Sequence, residues 1–178
     1  TKVRETKPEE RFVRALTEPL NQDPPSTFLF YRGDVSQPRQ QVTAAELSIL
    51  DSGQTAILPE NDDSLPTTGR RLTYARWLTS GSHPLVSRVL VNRVWMHHFG
   101  RGIVNTPGDF GYLGVRPTHP ELLDWLASEF VEQGWSLKNL HRLMMLSTAY
   151  RQQSTRSPEK DAIDADNELL SRMAMRRL

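Results

Sequence analysis

The sequence predicts an all-α, mainly helical protein with one minor N-terminal β-strand, and three observations lead to this fold class. Apolar residues recur at helical spacing through most of the chain after residue 70. Glycines end two of these segments, at Gly100 and Gly134. A strand-like composition occurs in one short stretch, Thr27–Tyr31. We therefore expect a helical bundle that contains an antiparallel helical hairpin and a glycine-rich loop.

The composition is that of an ordinary globular domain, because 37% of the 178 residues are hydrophobic and 24% are charged. The chain has no cysteine, which excludes disulfides, thiolate nucleophiles, cysteine-ligated zinc, iron–sulfur clusters and covalent c-type haem attachment. No stretch approaches the roughly 18 consecutive apolar residues that a membrane helix needs. We therefore expect no membrane partner.

Charge is distributed unevenly along the chain. Residues 70–116 contain seven arginines and one acidic residue, whereas residues 117–168 contain nine carboxylates and five basic residues. Arginine makes up 18 of the 22 basic residues, and its planar fork favours bidentate binding of carboxylate, phosphate or sulfate. The alternative explanation of the same count is a genome rich in arginine codons.

Residues 1–69 are predicted to form a connecting segment. The apolar spacing in Pro8–Leu20 predicts a lead-in helix, which the following Pro-Pro pair stops. Thr27–Tyr31 predicts a short strand that enters a turn at Arg32–Asp34. From there to about Thr68 the chain is polar and rich in turn residues, and we expect a loop.

Residues 70–178 are predicted to form a helical domain that is truncated at its C-terminus. The first helix should span Arg70–Leu78 and be closed by Ser80–Ser82. Pro84 is expected in the first turn of the next helix, which should run to Gly100. Apolar residues cover a wide face of this second helix, so we expect it to be central.

Two further helices are expected to form the antiparallel hairpin. Thr118 and Glu121 have the spacing of a capping box, which predicts a helix that ends at Gln133, and Ser136 is predicted to cap the next helix. After a polar linker, Asp164–Asn167 is predicted to cap a last helix that Leu178 cuts short. The facing apolar residues of the hairpin should be Leu122, Leu123, Trp125, Leu126, Phe130 and Val131 against Leu137, Leu140, Leu143, Met144 and Leu146.

The segment Gly100–Pro117 is the leading site candidate, since it holds five of the ten glycines and should be a shaped loop. Arginine forks and loop amides there could bind sulfate, carboxylate or phosphate. The alternative is that Arg93 and Arg101 form ion pairs with Asp109, Glu121 or Asp124 and only stabilise the loop. The candidate ligand-binding residues are Asn92, Arg93, His97, Arg101, Asn105, Asp109 and His119.

The histidines and glycines do not form a known metal or nucleotide motif. No two of the five histidines have the i, i+4 spacing of helical zinc sites, and His97 and His98 point about 100° apart on a helix. Gly100 and Gly102 lack the third glycine of a dinucleotide fingerprint, and their loop follows a helix instead of a strand. We predict no metal and no cofactor in this chain.

Several motifs together resemble a known family. The chain is similar, from about Arg70 to Leu178, to the C-terminal domain of unknown function in planctomycete-type cytochrome-c-like proteins. Met96, Ala165 and the chain end at Leu178 depart from the family pattern. The motifs are Asn92–Val104, Thr106–Gly111, His119–Leu126, Gly134–Ser136, Leu140–Arg142 and Tyr150–Gln152.

The resemblance implies a setting more than a reaction. It implies a haem domain and a middle helical domain elsewhere in the full-length protein, export to the periplasm or the extracellular space, and a link to polysaccharide metabolism. The other domains of the same polypeptide would then be partners. The family has no catalytic residue that transfers to this sequence.

The predicted function is a structural or ligand-binding module of a larger exported protein, with acidic or sulfated polysaccharide as the expected ligand. One alternative is a hydrolytic or redox enzyme site, in which Asp109, His97, His119 and Glu121 supply acid–base groups and the missing domains complete the site. A second alternative is a nucleic-acid-binding helical hairpin. Its second helix offers few readers of bases, which disfavours nucleic acid as the partner.

Overall fold

A computed structural model describes residue 18 and residues 26–50, 57–59 and 61–175, and this part of the chain is mainly helical, as predicted. The predicted lead-in helix over Pro8–Leu20 lies outside the described residues, apart from Glu18. The elements are the strands β1 (Thr27–Phe30) and β2 (Pro38–Val42) and the helices α1 (Arg70–Leu78), α2 (Val86–Phe99), α3 (Pro120–Glu132), α4 (Leu137–Leu146), α5 (Thr148–Arg151) and α6 (Pro158–Ile163).

The chain divides into two compact units. The first comprises Thr1–Ala45 and Ala56–Tyr74, and the second comprises Glu46–Thr55 and Ala75–Leu178. The first unit holds the small sheet, whereas the second holds α2 to α6 and every residue of the candidate site described below.

The small sheet corrects the prediction that the chain forms a loop from the turn at Arg32–Asp34 to about Thr68. β1 pairs with β2 in antiparallel orientation, with Thr27 opposite Val42. The turn between them contains Gly33 at a φ of 78°, and the Asp34 carboxylate accepts hydrogen bonds from the amide and hydroxyl of Ser36. Nearly every residue of β2 is exposed, so its sequence lacks the alternation of apolar and polar residues that indicates a strand.

Helix α2 is the central helix of the second unit, as its wide apolar face predicted. It begins at Val86, two residues after the predicted start at Pro84, and the buried ring of His83 accepts hydrogen bonds from the amides of Leu85 and Val86. It ends at Gly100, whose φ of 85° is the left-handed conformation of a helix C-cap. Its buried apolar side chains are Val91, Val94, Trp95 and Phe99.

Helix α3 begins one residue later than the capping box predicted. His119, not Thr118, is the N-cap residue, and Pro120 occupies the first turn. Thr118 lies before the cap, and its hydroxyl and amide both donate to the carbonyl of Ile103. The capping box of Thr118 and Glu121 is therefore absent.

Helix α4 follows after a tight connection, and its predicted cap is confirmed. Gly134, at a φ of 67°, follows the end of α3, and the Ser136 hydroxyl accepts a hydrogen bond from the Asn139 amide. Three residues predicted to face inward are instead exposed: Trp125, Leu137 and Leu146. The buried residues that α3 and α4 add to the core are Leu123, Leu126, Phe130, Leu140 and Met144.

The C-terminal segment does not contain the predicted last helix after Asp164–Asn167. Helix α6 precedes this cluster, and residues 165–175 are not helical. The buried Asp164 carboxylate accepts hydrogen bonds from the amides of Glu168 and Leu169, four and five positions further along, whereas a helix N-cap accepts from amides two or three positions along. Asn167 and Leu170 have a φ of 56°, and the chain turns instead of forming a helix.

Candidate functional site

The glycine-rich loop is attached to α2 through Asn92. The Asn92 side chain is fully buried, and its amide donates to the Val104 carbonyl and accepts from the Val104 amide, both at 2.9 Å. A Cβ on Gly102 would overlap the Val104 carbonyl oxygen and lie 2.9 Å from both polar atoms of Asn92. Glycine is therefore required at position 102 for this close approach.

The outer part of the loop is held by its own side chains. The Thr106 hydroxyl donates to the carbonyl of Asp109 at 2.9 Å and accepts from the Val115 amide at 3.0 Å. The Asp109 carboxylate accepts from the Gly111 amide at 2.8 Å, which is an Asx turn. Gly114 packs so closely on the carbonyl of Asp109 that it leaves no room for a Cβ.

A cavity of about 610 Å³ lies where the start of the loop meets the C-terminal segment, and we call it the arginine cavity. Three arginines and one histidine line it, together with two carboxylates. Its apolar wall is formed by the core side chains Trp95, Phe99, Ile103, Leu170 and Met173. The charged and polar lining residues are Arg101, Thr118, His119, Ser154, Arg156, Asp166, Asn167, Glu168 and Arg172.

The three arginines differ in how tightly they are paired. Arg172 and Arg156 both contact the Asp161 carboxylate, at 3.0 and 2.8 Å. Arg101 has a looser environment, since its guanidinium lies 3.7 Å from the Glu168 carboxylate and 3.3 Å from the Asp166 carbonyl. Arg101 is therefore the arginine whose present partner an incoming anion could replace most easily.

The C-terminal segment that lines the cavity is held in a turn by its own hydrogen bonds. Asn167 accepts a hydrogen bond from the Arg172 amide at 3.1 Å and donates to the Arg172 carbonyl at 2.8 Å. The guanidinium of Arg172 also donates to the carbonyl of Ala165. These bonds close the chain on itself and place the side chain of Arg172 at the cavity.

The structure brings only two of the seven predicted ligand-binding residues to this cavity, Arg101 and His119. Asn92 supports the loop from behind, and Asp109 holds a turn. The remaining three side chains are exposed and form no hydrogen bond or ion pair with other described residues: Arg93, His97 and Asn105.

The ion pairs predicted as the alternative to a ligand-binding site are wrong, because the charged groups pair with other residues. Asp124 pairs with Arg88 at 2.6 Å, and not with Arg93 or Arg101. Arg101 pairs with Glu168, which lies 67 positions further along the chain and outside the segment considered. Sequence reasoning also missed Arg156 and Arg172, because both follow the basic segment and occur among acidic residues.

A histidine pair was also missed. His98 Nε2 lies 2.7 Å from His141 Nδ1, and the two rings are nearly perpendicular. The Tyr150 ring packs with its edge against His98. Because 43 positions separate His98 and His141, no local spacing in the sequence indicates the pair.

The described residues contain no group of three or more metal-ligating side chains, and none of their helices is long and apolar enough to cross a membrane. This part of the chain forms a mainly helical domain with a hydrogen-bonded, glycine-rich loop and a charged cavity. Residues 70–178 match the family model described as "PSD1: Protein of unknown function (DUF1553)", and the chain belongs to this family. No curated protein and no solved structure matches the chain.

The family match confirms that residues 70–178 resemble a domain of unknown function. The cytochrome-c-like setting, the export and the polysaccharide link stay predictions from the resemblance.

Proposed function

We propose that this chain is a ligand-binding module whose arginine cavity takes an anionic group, such as the sulfate or carboxylate of an acidic polysaccharide. The observation that carries the proposal is the set of three arginines on one open cavity, Arg101, Arg156 and Arg172. Guanidinium groups bind oxyanions with two parallel hydrogen bonds, and a partly buried site screens that attraction less than bulk water does.

The pairing of the arginines supports a site that exchanges one carboxylate for another anion. Asp161 is shared between Arg156 and Arg172, so one negative charge serves two cations. Glu168 approaches Arg101 only to 3.7 Å, which is beyond hydrogen-bond distance. A ligand oxyanion would replace Glu168 at Arg101 and gain the bidentate geometry that Glu168 lacks.

His119 also lines the cavity, and its Nδ1 lies 2.9 Å from the Thr118 hydroxyl, which orients the ring. Apolar side chains complete the wall, which suits a ligand that carries a charged group on a larger carbon frame.

The wider setting belongs to the same proposal and rests on the sequence resemblance. We propose a module of a larger exported protein, with the other domains of that polypeptide as partners and any haem held in a separate domain. We also propose that α2, α3 and α4 form a helical bundle with an α3–α4 hairpin, as the sequence predicted.

A binding titration tests the proposal. The full 178-residue chain is titrated with heparin, a sulfated polysaccharide, and with uncharged dextran, at low and at high salt. We expect binding to heparin alone, weakening as salt rises, because ion pairs at an open cavity are screened. Arg101→Gln should weaken binding by about tenfold, the effect of losing one charge-assisted hydrogen bond.

Arg93→Gln is the matched control. Arg93 is exposed, carries the same charge and lies outside the lining of the arginine cavity, so this variant should bind heparin like the wild type. Equal losses in both variants would mean that heparin senses overall charge, and the cavity proposal would then be wrong. Comparable affinity for a duplex oligonucleotide would favour the nucleic-acid alternative instead.

The enzyme alternative is less well supported by the geometry. It needs Asp109 as an acid–base group beside His97 or His119. Asp109 does not line the cavity that contains His119, and its carboxylate holds the Gly111 amide. His97 is exposed on α2, without a carboxylate partner among the described residues.

A further inference from the structure

His98 and His141 direct ring nitrogens at each other across two helices. His98 lies in the last turn of α2 and His141 lies in α4, and the Nε2 and Nδ1 atoms are 2.7 Å apart. At this distance the pair shares one proton, so one nitrogen donates and the other offers its lone pair. When that proton moves to the other nitrogen of its own ring, both imidazoles stay neutral and the two facing nitrogens both carry lone pairs.

We propose that these two histidines form a binding site for a divalent transition metal ion. Zinc binds imidazole nitrogen at about 2.0–2.1 Å, which places two nitrogens of a tetrahedral site about 3.3 Å apart. The His98 and His141 nitrogens would therefore separate by about half an ångström on binding, and the rings would turn so that both lone pairs point at the ion instead of at each other. His141 is exposed, so its ring can make that adjustment.

The ligand chemistry defines the class of ion. Neutral imidazoles favour Zn²⁺, Cu²⁺ and Ni²⁺, whereas Mg²⁺ and Ca²⁺ prefer oxygen ligands. With two protein ligands, the remaining coordination positions belong to water, because His141 faces solvent. The site would therefore be open to exchange and to a further ligand.

Neighbouring rings hold His98 in place, whereas His141 is exposed and can adjust. The Tyr150 ring packs edge-on against His98, with centroids 5.7 Å apart, and against Phe99 at 5.8 Å. These contacts orient the His98 ring without ligating anything. Such orientation lowers the loss of side-chain freedom on metal binding.

This inference is independent of the proposed anion site. Neither His98 nor His141 lines the arginine cavity. Failure of heparin binding would leave the metal site standing, and failure of metal binding would leave the anion site standing.

The test is a calorimetric titration of the metal-free full chain with NiCl₂ and with ZnCl₂. We expect one ion per chain, and His141→Asn should weaken binding by at least about tenfold, since it removes one of two protein ligands. His141 is exposed, so this variant should keep the fold, which circular dichroism checks. His98→Asn is the second variant and should show the same loss.

His97→Asn is the control, because His97 is adjacent in the chain and exposed, with no hydrogen bond to other described residues. It should bind metal like the wild type. In the wild type, zinc should shift the imidazole resonances of both His98 and His141 in a histidine-detected NMR spectrum. If the pair only formed a structural hydrogen bond, zinc would leave these resonances unchanged. Unchanged binding in His141→Asn, an equal loss in His97→Asn, or no saturable binding by the wild type would overturn the proposal.

Discussion

Asn92 holds the glycine-rich loop against α2 with both ends of its side-chain amide. Its residue type and position beside the loop suggested a ligand-binding role. In the structure both hydrogen bonds go to Val104, and the side chain is fully buried. A buried amide needs partners for its donor and its acceptor, and the backbone of Val104 supplies both.

Gly102 provides a test of this attachment. Gly102→Ala should lower the free energy of unfolding by about 2 kcal/mol or more, because the added Cβ overlaps the Val104 carbonyl and crowds Asn92. The measurement is urea denaturation. Gly108→Ala is the control in the same loop, since nothing lies within 4 Å of its Cβ position. If both variants unfold at the same urea concentration, the loop is not held in this way.

At the scale of elements, the helix ends show which features can be predicted from neighbouring residues alone. The ends at Leu78, Gly100 and Gly134 and the cap at Ser136 agree with prediction, because each depends on residues within one turn. The starts of α2 and α3 differ by one or two residues. There the amide partners are set by His83 and Ile103, whose roles depend on the path of the chain before the helix.

The His83 ring, which binds the backbone at the start of α2, makes the stability of the protein depend on pH. The buried His83 ring accepts two backbone hydrogen bonds through Nδ1, so Nδ1 must be unprotonated. Burial lowers the pKa of His83 below its ordinary value of 6.5, against the opposing effect of the Glu46 carboxylate. The unfolded chain therefore takes up protons first, and stability should fall as the pH drops below about 6.5.

Thermal unfolding between mildly alkaline and mildly acidic pH measures this effect. At high pH the free energy of unfolding of His83→Ala should be lower by about 1–2 kcal/mol, because the variant loses two hydrogen bonds to the backbone and the packing on Trp77. The variant should also lose part of the pH dependence. His97→Ala should behave like the wild type. A pH profile unchanged by the loss of His83 would show that other groups control it.

At the scale of the whole molecule, burial is concentrated in the second unit. Val91, Val94 and Trp95 of α2 are buried in a core to which α3 and α4 contribute. The two strands of the first unit are almost entirely exposed, and an isolated two-stranded sheet is marginally stable.

Hydrogen exchange should reveal this difference. We expect the amides of α2 to exchange at least about 100-fold more slowly than those of β1 and β2, because opening α2 exposes the core. Mass spectrometry of peptic fragments from the native protein measures both regions in one experiment. Equal protection of the sheet and α2 would contradict this distribution of stability.

The sequence by itself determined the helical class, the ends of α1, α2 and α3, and the cap of α4, because these depend on spacing and on residues within one turn. It could not reveal β2, whose exposed polar residues carry no periodic pattern, or the turned segment after Asp164. Only the tertiary structure decided which charged and titratable groups meet. Arg101 meets Glu168, and His98 meets His141, through contacts between residues distant in the chain, and no local pattern encodes such contacts.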